Sequence, residues 1–211
     1  MMSENELREQ LIATAMAMNN SGLNQGTSGN LSVRSGKGFL LTPSALPYEQ
    51  CQPQDMVLVD MAGQCSGIRK PSTEWRMHRD LYVEHPDIGC ILHAHATWCT
   101  ILACLEKPIP SFHYMVAIAG GDSIPLAPYA PFGSQELSDS LLLTLQGRRA
   151  CLLAHHGMVC FTKELENLLP LAIEIEALAK MYVQALQIGH PPLLSAEQMQ
   201  DVLERFGSYK P

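Results

Sequence analysis

Short apolar runs separated by glycine and proline follow one another early in the chain, and this pattern limits the fold more than any other feature. The runs contain Leu31 and Val33, then FLLT at 39–42 and MVLVD at 56–60. Runs of this length and composition are typical of β-strands, and the residues between them are typical of turns. The pattern predicts that a sheet begins here as hairpins or as a meander.

Helical patterns lie on both sides of these runs. Ser3-Glu4-Asn5-Glu6 is a capping box, and apolar residues follow it at helical spacing until Gly22. Later in the chain, helices and strands alternate. Helices are predicted at 72–84, 96–106, 134–146 and 164–188, and the last of these is expected to be interrupted by Pro170. A further helix is predicted after a second capping box, which begins at Ser195. Strands are predicted in GCILHAH and CLLAHHGMVCF. This order predicts an α/β fold, a single layered domain with a central, largely antiparallel sheet flanked by helices.

The composition of the chain predicts one domain and narrows the range of partners. With 211 residues, of which 46% are hydrophobic, we expect a single domain over residues 1–211. A formal net charge of -7, without any run of Lys or Arg, argues against nucleic acid or an anionic membrane as a partner. The seven cysteines form no C-x-x-C pair, and no apolar run approaches the roughly 20 residues of a membrane span. We therefore expect a cytoplasmic protein with free thiols.

Two histidines at the end of a predicted strand, His93 and His95, indicate a metal site. Residues i and i+2 of a strand point to the same side with Cβ atoms about 6 to 7 Å apart, so two imidazoles can reach one ion. The pair alone is equally consistent with ordinary core residues. Further ligands are available in LLAHHGM, where one of His155 and His156 could complete a set of three. Three neutral imidazoles suit Zn²⁺ and leave coordination positions open for a substrate.

Several motifs in one register resemble the class II aldolase and adducin family. They are LNQGTSGNLSVR (23–34), TPSALPYE (42–49), KPSTEWRMH (70–78), HAH (93–95), PSFHYMVAIAGGDSIPLAPYAPFG (110–133) and HHGM (155–158). The similarity runs from the first helix to the FGSY sequence near the end of the chain. It implies the class II aldolase fold, with Zn²⁺ bound by His93, His95 and His156 and with His155 as a neighbour of the ligands.

The resemblance also implies a reaction and the residues that perform it. The reaction is the cleavage of a ketose 1-phosphate, such as L-fuculose, 5-deoxyribulose or methylthioribulose 1-phosphate, into dihydroxyacetone phosphate and an aldehyde through a metal-stabilised enediolate. Glu74 is implied as the acid/base at the enediolate carbon, and Tyr114 and Tyr209 as further participants in proton transfer. Because the family supplies the first of these tyrosines from an adjacent subunit, the resemblance implies an oligomer, and the family is tetrameric.

Three short stretches rich in hydroxyl groups are candidates for phosphate binding. They are GTSGN at 26–30, TPSA at 42–45 and the pair Ser72-Thr73, which begins a predicted helix whose free N–H groups favour an anion. Each could equally be a simple turn or helix cap. Together with the resemblance, they make Asn30, Ser44, Ser72 and Thr73 the expected ligands for the phosphate of a small phosphorylated sugar. Close relatives commonly carry glycine where this chain has Ala45.

Two other histidines near these motifs are not expected to bind metal. His78 is interpreted as a residue on a helix surface, and His113 as a residue that forms a hydrogen bond behind the site.

Three functions stay open at this point. The first is a zinc aldolase, the second is an epimerase, dehydratase or decarboxylase that uses the same metal, and the third is a non-enzymatic module that resembles the adducin head domain. Glu74 favours the aldolase, since the epimerase branch carries aspartate at this position. The adducin head lacks the metal histidines, whereas this chain has all three, so we rank that interpretation last.

Overall fold

One eight-stranded sheet organises the protein, which a computed structural model describes over residues 3–208. The helices are α1 (Glu4–Asn20), α2 (Trp75–Glu84), α3 (Thr97–Cys104), α4 (Gln135–Thr144), α5 (Leu168–Ile188) and α6 (Ala196–Ser208). The strands are β1 (Asn30–Ser35), β2 (Gly38–Leu41), β3 (Val57–Asp60), β4 (Cys65–Ser66), β5 (Cys90–Ala94), β6 (Leu126–Ala127), β7 (Ala150–Leu153) and β8 (Gly157–Thr162). The strand order is β4-β3-β2-β1-β5-β8-β7-β6.

The sheet is largely antiparallel, as predicted. β1 to β4 form a meander in chain order, which confirms the interpretation of the early apolar runs. β5 then joins the open edge of β1, and β8 and β7 follow it, all antiparallel. Among the strand pairs of residues 3–208, β6 with β7 is the parallel one. The predicted α/β fold with a central sheet flanked by helices is therefore confirmed.

Each face of the sheet carries its own hydrophobic core. On one face, α1, α3, α5 and α6 cover apolar side chains that include Leu31 and Leu92. On the other face, α2 and α4 cover a second cluster that includes Phe39 and Ile91. Because successive side chains of a strand point to opposite faces, the two cores alternate along β2 and β5, whereas β1 sends apolar side chains to the first core alone. The result is a sheet buried between two helical layers.

The predicted interruption of the long helix at Pro170 is wrong. α5 begins at Leu168, so Pro170 lies in the first turn of the helix. The N–H groups of a first turn have no partner within the helix, and a proline there removes no hydrogen bond. The helix therefore runs without a break to Ile188 and ends, as predicted, at Gly189.

The seven cysteines are free thiols in this structure, in agreement with the sequence-based expectation. Five of them are buried, and burial raises the pKa of the Cys90 thiol to about 11, which keeps it protonated at neutral pH. None of the helices in residues 3–208 combines the length and the apolar character that crossing a bilayer requires.

Gly89 lies just before β5, where the backbone comes very close to the segment that follows β8. A Cβ atom at this position would overlap the backbone carbonyl of Lys163, and the Gly89 N–H already donates to the carbonyl of Thr162 at 3.0 Å. Since neither backbone segment can move without breaking pairing, we expect Gly89→Ala to lower the free energy of unfolding by roughly 1 to 3 kcal/mol in urea titrations. Gly189→Ala is the control, because nothing lies within 4 Å of the added Cβ. Equal stabilities of the two variants would contradict this account of the packing.

Candidate metal centre

Three histidines from two places in the sheet meet at one point. His93 is in β5, His95 follows the end of that strand, and His156 lies in the turn between β7 and β8. One ligand atom from each of the three side chains lies within 4.8 Å of the other two, and the ring centroids are 4.7 to 5.0 Å apart. The structure thus brings together the three residues that were predicted to bind a metal.

These histidines are uncharged at neutral pH. Burial, reinforced by the neighbouring His95, lowers the pKa of His93 to about 3. Burial likewise lowers the pKa of His156 to about 4, with His93 contributing, and lowers the pKa of His95. The Nδ1 atom of His93 lies 2.9 Å from the carbonyl oxygen of Met158, which can only accept, so Nδ1 carries the proton and Nε2 presents a lone pair.

Glu74 faces the same point from the helical layer. It is the N-cap residue of α2 and only 5% exposed. Its Oε2 lies 3.1 Å from His93 Nε2, and its Oε1 lies 3.3 Å from His156 Nε2. Glu74 Oε1 and the Nε2 atoms of His93 and His95 are buried without a hydrogen-bond partner. Lone pairs that face one another in a buried site are stabilised by a cation between them, so these residues fit a divalent metal ion.

The turn that presents His156 depends on its neighbours in the HHGM sequence. His155 occupies the left-handed region with a φ of 56° and is exposed, with its Nε2 atom 3.1 Å from Glu106 Oε1. It therefore lies outside the histidine group, as the resemblance implied. At Gly157 any Cβ would overlap the carbonyl oxygen of Ala94, so glycine lets this turn approach the end of β5.

A cleft beside the histidines is lined with hydroxyl groups. Its walls are formed by Thr27, Ser28, Gly29, Pro43, Ser44, Ala45, Ser72, Thr73, Glu74, His95, Phe132 and His156. Three of the four residues predicted to bind phosphate are among them, namely Ser44, Ser72 and Thr73. Ala45 has a φ of 57°, a left-handed conformation that glycine adopts without strain.

Backbone hydrogen bonds join the two loops that carry these hydroxyl groups, the loop at 42–45 and the loop at 70–73. The Ser72 N–H donates to the Thr42 carbonyl at 3.2 Å, and the Ser44 N–H donates to the Lys70 carbonyl at 3.0 Å. The Ser72 hydroxyl accepts from the Glu74 N–H at 3.3 Å, which leaves the hydroxyl hydrogen available to a ligand. The pair Ser72-Thr73 precedes α2, which begins at Trp75 and not at residue 72 as predicted.

The fourth predicted phosphate residue, Asn30, lies behind the cleft wall. It is 2% exposed, and its amide lies between two side chains. The Asn30 Nδ2 atom donates to Glu74 Oε2 at 2.9 Å, and its Oδ1 atom lies 2.6 Å from His78 Nε2. The interpretation of His78 as a surface residue is wrong, because the side chain is fully buried between α2 and β1. The available sequence signal was its spacing four residues after Glu74, which places both side chains on one side of the helix.

The predicted tyrosines have different outcomes. Tyr114 begins a 3₁₀ helix (Tyr114–Ala119), is 49% exposed and is not among the residues that line the cleft of its own chain. Tyr209 lies outside the described residues. His113 accepts a hydrogen bond from the Met115 N–H at 3.3 Å and so caps the 3₁₀ helix.

One residue that supports the site was not anticipated from the sequence. The carboxylate of Glu176 in α5 accepts the N–H groups of Trp98 and Cys99 at 2.8 and 2.9 Å. These are among the first N–H groups of α3, which begins two residues after His95, so Glu176 caps this helix from another element. An acidic residue in the middle of an apolar helix was the available signal.

Comparison with known proteins agrees with this geometry. The family model of the Class II Aldolase and Adducin N-terminal domain matches residues 9–183. A 5-methylthioribulose-1-phosphate/5-deoxyribulose-1-phosphate aldolase of Rhodospirillum rubrum is 50% identical over 203 residues, which cover 96% of this chain and 92% of that protein. L-fuculose phosphate aldolase of Escherichia coli is 46% identical over 209 residues, with 99% and 97% covered. A solved structure of L-fuculose 1-phosphate aldolase has a TM-score of 0.92 at 37% identity and covers 96% of both chains.

The fold and the histidine group define an α/β protein whose residues could hold a divalent metal beside a polar cleft. This chain belongs to the class II aldolase and adducin family, since the family model and these relatives span most of its length. The resemblance seen in the sequence motifs is thereby confirmed.

Removing one histidine should remove the metal. We expect His95→Ala to lose most of the bound divalent metal, because two imidazoles are a poorer set of ligands than three. Metal content is measured by plasma emission spectrometry after dialysis against metal-free buffer. His155→Asn is the matched control, since asparagine tolerates the left-handed conformation and the side chain lies outside the group. Full metal content in His95→Ala would remove this residue from the site.

Proposed function

We propose that this protein is a metal-dependent aldolase that cleaves a ketose 1-phosphate into dihydroxyacetone phosphate and an aldehyde. The observation that carries the proposal is the meeting of three uncharged histidines with Glu74 at a cleft lined by hydroxyl groups. Relatives named as aldolases of L-fuculose phosphate and of 5-methylthioribulose and 5-deoxyribulose 1-phosphate match nearly the whole chain, which supports the same reaction class. We propose these three sugar phosphates as the candidate substrates.

His93, His95 and His156 would hold the metal, and we propose Zn²⁺ because three neutral imidazoles suit it. A divalent cation bound there supplies a Lewis acid for the negative charge that develops on the ketose oxygens. The hydrogen bond from His93 Nδ1 to the Met158 carbonyl fixes the ring so that Nε2 faces the site.

Two protons must move during cleavage, and we assign a side chain to each. When the C3–C4 bond breaks, the C4 hydroxyl loses its proton and becomes the carbonyl of the aldehyde, while the bonding electron pair stays with the three-carbon fragment. Glu74, after taking up a proton from solvent, delivers that proton to C3 of the three-carbon fragment, and its Oε1 atom has no hydrogen-bond partner in the protein. We assign the transfer of the C4 hydroxyl proton to the Tyr114 hydroxyl of a neighbouring copy of the chain, which accepts this proton as it passes its own to solvent, with Tyr209 as a further participant.

The phosphate of the substrate would lie against the two loops that are tied together beside the cleft. Ser44, Ser72 and Thr73 offer hydroxyl hydrogens there. Asn30 can contribute the second hydrogen of its Nδ2 atom, since the first is donated to Glu74. Each of these donors is neutral, so they would orient a phosphate dianion by hydrogen bonds and not by opposite charge.

An oligomer follows from the assignment of Tyr114, because this residue is exposed and does not line the cleft of its own chain. We propose a homotetramer with active sites at the interfaces between subunits. We also propose a cytoplasmic protein that requires neither nucleic acid nor a membrane as a partner.

The reaction is tested directly by release of dihydroxyacetone phosphate from the three proposed substrates, measured with a coupled reductase. We expect release by the metal-loaded protein, loss of release after chelation, and recovery when Zn²⁺ is restored. The ratio of kcat/KM values identifies the preferred aldehyde. No release from any substrate by protein that still binds metal would refute the aldolase and favour an epimerase, dehydratase or decarboxylase of the same family.

Glu74→Gln separates proton transfer from metal binding. Glutamine keeps the shape of the side chain and an oxygen that accepts from Asn30, but it cannot exchange a proton. We expect metal content close to that of the wild type and a kcat lower by about 100- to 10,000-fold. Glu49→Gln is the control, since Glu49 is exposed and is not among the residues that line the cleft. An unchanged kcat in Glu74→Gln would exclude this carboxylate as the acid/base.

A further inference from the structure

A continuous set of hydrogen bonds runs from Glu74 into the protein between β1 and α2. Asn30 Nδ2 lies 2.9 Å from Glu74 Oε2, and Asn30 Oδ1 lies 2.6 Å from His78 Nε2. His78 Nδ1 lies 2.7 Å from Ser32 Oγ, which lies 2.9 Å from the hydroxyl oxygen of Tyr82. The four residues beyond Glu74 are at most 2% exposed, so water does not compete for these bonds.

Regular secondary structure places these side chains in line. Asn30 and Ser32 are two residues apart in β1 and therefore point to the same face of the sheet. Glu74, His78 and Tyr82 are spaced four residues apart at the start of α2 and along it, so they form one row that faces those two side chains.

The carboxylate of Glu74, at one end of this set, determines which atom donates in each of the hydrogen bonds from Glu74 to Ser32. A carboxylate only accepts, so the Asn30 group that faces Glu74 is the amide NH₂ and the group that faces His78 is the amide oxygen. His78 Nε2 must then donate. Burial lowers the pKa of His78 to about 3, so the ring has a single proton and Nδ1 accepts from the Ser32 hydroxyl.

We propose that His78 is a positioning residue for the reaction. Its Nε2–H fixes the orientation of the Asn30 amide, which holds Glu74 Oε2 and leaves Glu74 Oε1 as the oxygen without a hydrogen bond. Without this donor the Asn30 Oδ1 atom is buried without a partner, so the amide turns away from Glu74 to find one, and the carboxylate loses its hydrogen bond and its fixed position. The inference rests on the proposed role of Glu74 in proton transfer.

Two substitutions of His78 each keep one of its two hydrogen bonds and remove the other. The amide nitrogen of a glutamine reaches the position of histidine Nε2, so His78→Gln keeps the donor to Asn30 and loses the acceptor for Ser32. The amide oxygen of an asparagine sits near the position of histidine Nδ1, so His78→Asn keeps the acceptor for Ser32 and loses the donor to Asn30. Each variant loses one buried hydrogen bond, so their thermal stabilities should fall by similar amounts.

The variant that keeps the hydrogen bond to Asn30 should have the higher kcat. We expect His78→Asn to lower kcat by about 10- to 100-fold, with a metal content near that of the wild type. His78→Gln should retain most of the wild-type kcat despite its similar loss of stability. Crystal structures of both variants provide a second measurement, in which the contact between Asn30 Nδ2 and Glu74 Oε2 persists in His78→Gln and is lost in His78→Asn.

Several results would overturn the inference. Equal kcat values in the two variants, or a Glu74 position in His78→Asn identical to that in the wild type, would show that His78 serves stability alone. If either variant fails to fold, His78→Leu replaces the pair; it removes the donor to Asn30 with an apolar side chain of similar size, and an undisturbed Asn30 amide with a wild-type kcat would again refute the inference. If the wild type releases no dihydroxyacetone phosphate, the proposed function fails, and the crystal structures alone decide whether His78 positions Glu74.

Discussion

The burial of one carboxylate among uncharged imidazoles is the constraint on which the site depends. Glu74 is 5% exposed, and its Oε2 atom has a donor in Asn30 whereas its Oε1 atom has none. An ionised group in such surroundings is costly unless a donor or an opposite charge compensates it. The lone pairs of His93 and His95 face the same space, so a divalent cation there would satisfy the imidazole nitrogens and offset the charge of the carboxylate.

The antiparallel sheet holds these groups in place. β1 and β5 pair so that Asn30 lies opposite His93, and β5 pairs with β8 so that His93 lies opposite Val159. Alternation along these strands sends Leu31 and Leu92 into one core and leaves polar side chains on the face covered by α2. A shift of one residue in either pairing would exchange the two faces, so the apolar core on the far side fixes the register of the metal ligands.

Much of this arrangement could be predicted from the sequence, and the failures have a common physical origin. The histidine spacing in HAH and the apolar runs of the meander are local patterns, and they predicted the structure correctly. His78 was misassigned because its position relative to Asn30 depends on how α2 lies across β1, which no local pattern records. Pro170 was misread because its effect depends on where the helix begins. The role of Tyr114 stays a prediction, since a single chain does not place this residue at the cleft.

The site divides into a buried part and an exposed part, and this division bears on substrate choice. His93 and His95 lie at the end of a central strand and Glu74 caps α2, where neighbouring backbones restrict these side chains. The wall of the cleft formed by Phe132 is different, because that ring is 73% exposed in the single chain. Substitutions at an exposed wall change the shape of the cleft without disturbing the core. Relatives that share this fold can therefore differ in that wall, and the names of two of them give different substrates.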